Sequence, residues 1–106
     1  MPKYLVRASL SMEGLKGTLK DGGTKRRDAV ANLARSLGGN LESFYYAFGE
    51  DDIYAIFEMP DNVSAATASV TVSAAGAGSP ATIVLITPEE MDQVARRHAD
   101  YIPPGA

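Results

Sequence analysis

Apolar positions are densest between Leu41 and Met59, where two runs flank the tetrapeptide Gly49-Glu50-Asp51-Asp52. The first arm, Leu41 to Phe48, and the second, Ile53 to Met59, carry most of the aromatic side chains, which favour strands, so this stretch predicts a β-hairpin. With residues 49 to 52 as the loop, Phe48 faces Ile53, Tyr46 faces Ala55 and Phe44 faces Phe57 on one side of the hairpin. Ser43, Tyr45 and Ala47 then oppose Glu58, Ile56 and Tyr54 on the other. The first side is almost wholly apolar. The second is mixed and lacks clean polar alternation, so both sides are expected to be covered, one of them by helices.

The remaining pattern sets elements around this hairpin. Tyr4 to Leu10 alternates as a strand, with Tyr4, Val6, Ala8 and Leu10 on one face and Leu5, Arg7 and Ser9 on the other. Ser11 to Lys20 has Met12, Leu15 and Leu19 at helical spacing, but Gly14 and Gly17 weaken a helix, so a loose turn or single helical turn is expected. A helix follows from an N-cap at Thr24 to about Leu37, with Val30, Leu33, Ala34 and Leu37 as its stripe and Gly38-Gly39 as its stop. Lys25, Arg26 and Arg27 lie in its first turns, where the macrodipole prefers acids, so the cluster should meet an anion, a carboxylate or open solvent.

Pro60-Asp61-Asn62 ends the second hairpin strand and offers a cap for a helix over Val63 to Ala75. Its small side chains suit close packing against the bulky Phe44, Tyr46, Phe48 and Phe57. Gly76 to Pro80 reads as a loop and Ala81 to Ile86 as the last strand. Thr87-Pro88-Glu89-Glu90 is a capping box with proline at the first helical position, opening a helix that sets Met91, Val94, Ala95 and His98 on one side. Tyr101 to Ala106 is a proline-stiffened extended tail.

In order these elements give an α+β, ferredoxin-like βαββαβ arrangement with an extra C-terminal helix. At 106 residues the chain is expected to be one domain. A hydrophobic fraction of 45% and a charged fraction of 22% are ordinary for a globular protein. No apolar run approaches the ~20 residues of a membrane span, and Met1 to Tyr4 leads straight into a strand, which points to a cytoplasmic protein without membrane association. A net charge of −3 argues against nucleic-acid binding. The absence of cysteine excludes thiolate sites and a cysteine nucleophile, and a single histidine leaves little for a metal, so no cofactor is expected.

Several segments resemble one family, the small GYD-domain proteins. They are Pro2 to Val6, Glu13 to Gly17, Leu37-Gly38-Gly39, Phe44-Tyr45, Phe48-Gly49-Glu50, Pro60-Asp61-Asn62, Leu85 to Glu90, and Tyr101 with Pro103-Pro104-Gly105. The resemblance implies a ferredoxin-like fold of the dimeric α/β-barrel type, in which two sheets meet face to face. It implies no activity. The family's Gly, Tyr, Asp signature falls here on Gly49, Asp51 and Asp52, so Asp51 stands where the family has its tyrosine, and a role needing that phenol would be lost.

The mixed face supplies the candidate site. Arg7, Tyr45, Tyr54 and Glu58 are candidate ligand-binding residues, with Tyr45 and Tyr54 able to donate to a carbonyl or enolate oxygen, and Arg7 could instead pair with Glu58 across neighbouring strands. His98 is a candidate acid or base if it faces a cleft, and a dipole partner at a helix end if it does not. Glu50, Asp51 and Asp52 could hold a cation but suit a solvated turn better. No catalytic constellation emerges. The expected function is a non-catalytic homodimer, or higher homo-oligomer, binding a small hydrophobic molecule or another protein. The alternative is a small cofactor-independent enzyme, monooxygenase- or isomerase-like by fold analogy, acting on a hydrophobic or aromatic substrate in a barrel cavity.

Overall fold

A computed structural model describes residues 1–105; Ala106, the last residue of the expected tail, lies outside the described residues. The elements run β1 (Lys3–Leu10), α1 (Met12–Asp21), α2 (Gly23–Ser36), β2 (Asn40–Tyr46), β3 (Ile53–Glu58), α3 (Asn62–Ala74), β4 (Gly78–Leu85) and α4 (Pro88–Arg96). The strands form one antiparallel sheet in the order β2-β3-β1-β4. The arrangement is mixed α+β and roughly ferredoxin-like, with two helices in the first crossover and a fourth after the last strand.

One face of the sheet holds the core. Tyr4, Ala55 and Phe57 pack there with Met59, under Ala34 of α2 and Ala65 of α3, and Val6, Val30, Leu37, Leu41 and Phe44 close around them. The Tyr4 hydroxyl donates to Asn62 Oδ1 at 2.6 Å, so the most deeply placed phenol leaves no polar atom unpaired.

The hairpin register is two residues from the one read off the sequence. Phe44 pairs with Ala55, Tyr45 with Tyr54 and Tyr46 with Ile53, and the Ala47 N–H closes the loop on the Asp52 carbonyl at 2.8 Å. A shift of two keeps every side chain on its face, so the face assignment survives while the partners change. Phe48 leaves the strand altogether and is 104% exposed in the loop. A bulge between Leu41 and Ser43 then turns Leu41 onto the core face opposite Phe57.

The segment after β1 is a full helix and not a single turn. Ser11 caps it, accepting from the Gly14 N–H at 3.0 Å. Gly14 costs helix propensity but lets α1 cross the Gly76 to Gly78 turn, because a Cβ there would overlap the Ala77 carbonyl oxygen. The same junction is tied by Ser11 Oγ donating to the Gly76 carbonyl at 2.7 Å. Helix α2 starts two residues earlier than expected, at Gly23, and Thr24 is not its cap; Gly22 stands there without a side-chain cap bond. Two of the three cations in its basic cluster are answered by nearby acids, Lys25 by Asp21 at 3.7 Å and Arg27 by Asp28 at 3.1 Å.

Helix α3 forms over the small-residue segment, capped by Asp61 accepting from the Ser64 N–H at 2.8 Å. The expected pairing of its small side chains with four aromatic rings is only half made. Phe44 and Phe57 are in the core, whereas Phe48 is in solvent and Tyr46 turns to donate to the Gly23 carbonyl at 3.0 Å. Strand β4 begins at Gly78, earlier than expected, and takes Pro80 into its ladder opposite Ala8, a position open to proline because β4 is an edge strand. Thr87 and Glu90 form the capping box of α4. That helix buries none of its residues, and Met91 and Val94 are exposed.

Candidate functional site

The sheet face away from α2 and α3 is organised in cross-strand rows. Tyr45 of β2 lies beside Tyr54 of β3, Tyr54 beside Arg7 of β1, and Arg7 beside Ala81 of β4. The next row is Ser43, Ile56, Leu5 and Ile83. Two phenols and a guanidinium therefore border an aliphatic row. Among the described residues no helix covers them, and Tyr45 is 69% exposed. Period-two alternation in three separate strands produces this grouping, and Arg7, Tyr45 and Tyr54 are brought together as the sequence pattern anticipates.

The partner of Arg7 is Asp51 and not Glu58. Arg7 Nη1 donates to Asp51 Oδ2 at 2.9 Å, and Ser9 Oγ donates to Asp51 Oδ1 at 3.1 Å. Glu58 is paired in register with Lys3, whose ammonium lies 3.9 Å from its carboxylate and also bonds Glu42. The two rows lie four positions apart along β1, too far for an Arg7–Glu58 pair. Glu58 thus sits at the opposite end of the face from the loop.

In the sequence Asp51 reads as a turn residue or a cation ligand, and not as the partner of Arg7. Its side chain is 13% exposed because the loop folds over the end of β1, where Asp52 adds two anchors: its N–H donates to the Ala8 carbonyl at 2.9 Å and its carboxylate accepts from the Leu10 N–H at 2.8 Å. The hydrogen bond from Arg7 holds the Asp51 carboxyl below the usual carboxylate range, with Ser9 adding to it against partial burial. Arg7 is correspondingly pushed up, first by that same bond. Both acids are committed to β1, and among the described residues no group of three or more His, Cys, Asp or Glu side chains has the arrangement to hold a metal ion.

His98 is not on the α4 face with Met91 and Val94. The helix ends at Arg96 with Arg97 as its cap, and His98 follows in the irregular tail, 90% exposed, with Nε2 3.6 Å from Asp100 Oδ1. It is no part of the sheet face.

A sequence model of the GYD domain matches residues 4–95, which is all of the sheet but Lys3 and all four helices but the last residue of α4. The chain belongs to the GYD domain family. No curated protein and no solved structure matches it. In this GYD domain the loop bearing Gly49, Asp51 and Asp52 is clamped to β1 by the Asp51 carboxylate through Arg7 and Ser9.

Proposed function

We propose that this GYD domain is a homodimeric binding module of the dimeric α/β-barrel type, whose two uncovered sheet faces meet and enclose a small hydrophobic ligand near Tyr45, Tyr54 and Arg7. The observation that carries the reading is the open face itself. Leu5, Ile56 and Ile83 make a continuous aliphatic row, the first two half-buried and Ile83 exposed, bordered by two exposed tyrosines, and single chains rarely leave such a patch uncovered. A two-fold arrangement covers it with its own copy. Helix α4 supports the same reading: at nine residues it is too short to persist in water unpacked, yet its apolar side finds no place in its own chain. No step of a reaction is assigned, because Arg7 is engaged with Asp51 and Glu58 with Lys3, and His98 lies elsewhere. Among the described residues no helix is long and apolar enough to cross a membrane.

Light scattering after size exclusion tests association. The expected result is a dimer at about 10 µM, within the affinity range of specific interfaces, and a folded monomer for Ile56→Glu, since that residue lies on the open face. A monomeric wild-type chain at that concentration would overturn the reading. If the dimer forms, turnover of aromatic substrates that is lost in Tyr54→Phe would replace the binding module by the enzyme alternative.

A further inference from the structure

The core face contains a second space, unrelated to the row of tyrosines. Helix α3 presents Ala65, Ala68, Ser69 and Val72 to the sheet, and the strands beneath offer Val6, Ala8, Ala55 and Pro80. Small side chains thus face small side chains, and the two rings that would have filled the gap, Tyr46 and Phe48, are turned away or in solvent. The result is an apolar cavity of ≈ 80 Å³ between helix and sheet. A water needs roughly 10–15 Å³ and two to four polar partners, so the volume suffices for several waters but the lining does not suit them.

A shallower groove of ≈ 270 Å³ runs along the seam between α3 and β4, with Val70 and Val84 exposed in its walls. Cavity and groove share Tyr4, Ala65, Ser69 and Thr82, so they adjoin across one line of side chains. Their polar groups are unequal. The inner space is almost entirely hydrocarbon, while the groove adds Asn62, which already accepts from Tyr4, beside the hydroxyls of Ser69 and Thr82. No Asp, Glu, Lys, Arg or His lines either space.

We infer that the cavity and the adjoining groove together serve as a binding site for an uncharged, medium-length aliphatic molecule, its chain passing between their shared side chains into the cavity under α3 and a hydroxyl or ester head held in the groove at Ser69 and Thr82. The lining selects against a charged head, which would have no counter-ion and would lose its hydration. The site is independent of the face proposed for dimerisation, and monomer and dimer both contain it.

The test is displacement of the neutral fluorophore N-phenyl-1-naphthylamine from the full-length protein by 1-octanol and by octanoate. The wild type is expected to take up the fluorophore and to release it to 1-octanol at a concentration at least tenfold below that needed for octanoate. Ala68→Leu and Ser69→Leu, which fill the space from a helix that tolerates leucine, should each weaken uptake tenfold or more while melting no lower than the wild type. Thr82→Val should weaken 1-octanol several-fold and leave the fluorophore unchanged. Ile56→Glu should bind as the wild type does, so failure of the dimer reading leaves this result unaffected. Absence of uptake by the wild type, or unchanged uptake in both filled variants at retained helicity, overturns the proposal.

Discussion

Asp51 shows how one side chain can join a turn to a distant strand. Its depressed folded-state pKa means that folding favours the ionised form. The stability it contributes is therefore complete above the unfolded carboxyl value, roughly 4, and is lost as pH falls through the lower folded value. Asp51→Asn is expected to be less stable than the wild type at neutral pH, with the gap closing in acid. Urea melts at a series of pH values from about 7 to 2.5 would show this; a gap of constant size would mean that the carboxylate's charge plays no part. Asp61, whose carboxyl is held down by the Ser64 N–H at the start of α3, acts in the same pH direction. This clamp was hidden in the sequence because Arg7 and Asp51 are 44 positions apart, and Glu58 offered a nearer-looking partner in the adjacent strand.

Among the elements, α1 makes the sharpest contrast between local and long-range causes. Gly14 and Gly17 look alike in the sequence, but an added Cβ at Gly14 meets the Ala77 carbonyl while at Gly17 it meets nothing within 4 Å. Gly14→Ala should cost roughly 1–3 kcal/mol through overpacking against a backbone that cannot turn aside. Gly17→Ala should instead stabilise by up to about 1 kcal/mol through helix propensity. Thermal melts of the two variants would give shifts of opposite sign, and equal shifts would remove Gly14 from its packing role. The elements with strong local signals were legible: the stripe of α2, a cap for α3 at Asp61 or Asn62, which proves to be Asp61, and the capping box at Thr87. The hairpin register was not, because Phe48 is apolar enough to continue the strand pattern and only the closure of Ala47 on Asp52 excludes it. The candidate face was readable from alternation alone, whereas the cavity under α3 depends on where Tyr46 and Phe48 finally point.

At the scale of the whole molecule, the chain is elongated, 58 × 33 × 22 Å with a radius of gyration of 16.9 Å, where a compact chain of this length would have roughly 13 Å. Filling the cavity with Ala68→Leu should raise stability by about 1–2 kcal/mol, read from the urea midpoint; a loss would mean that the space cannot accept the added side chain. In the Ile56→Glu monomer the amides of α4 should exchange with solvent far faster than in the wild type, as hydrogen-exchange mass spectrometry would show, because the helix would have lost its packing surface. Slow exchange in that monomer would require another support for α4. The sheet's two borders bear on how copies can meet. At one border the Leu41–Ser43 bulge interrupts the ladder of β2 and leaves Glu42 exposed, and at the other Pro80 has no N–H to give to a strand arriving alongside β4. Both are features that blunt a template for runaway strand addition. Molecules of this chain are thus steered away from ribbon-like polymers, and a concentrated solution should stay free of fibrils even while its open face remains adhesive.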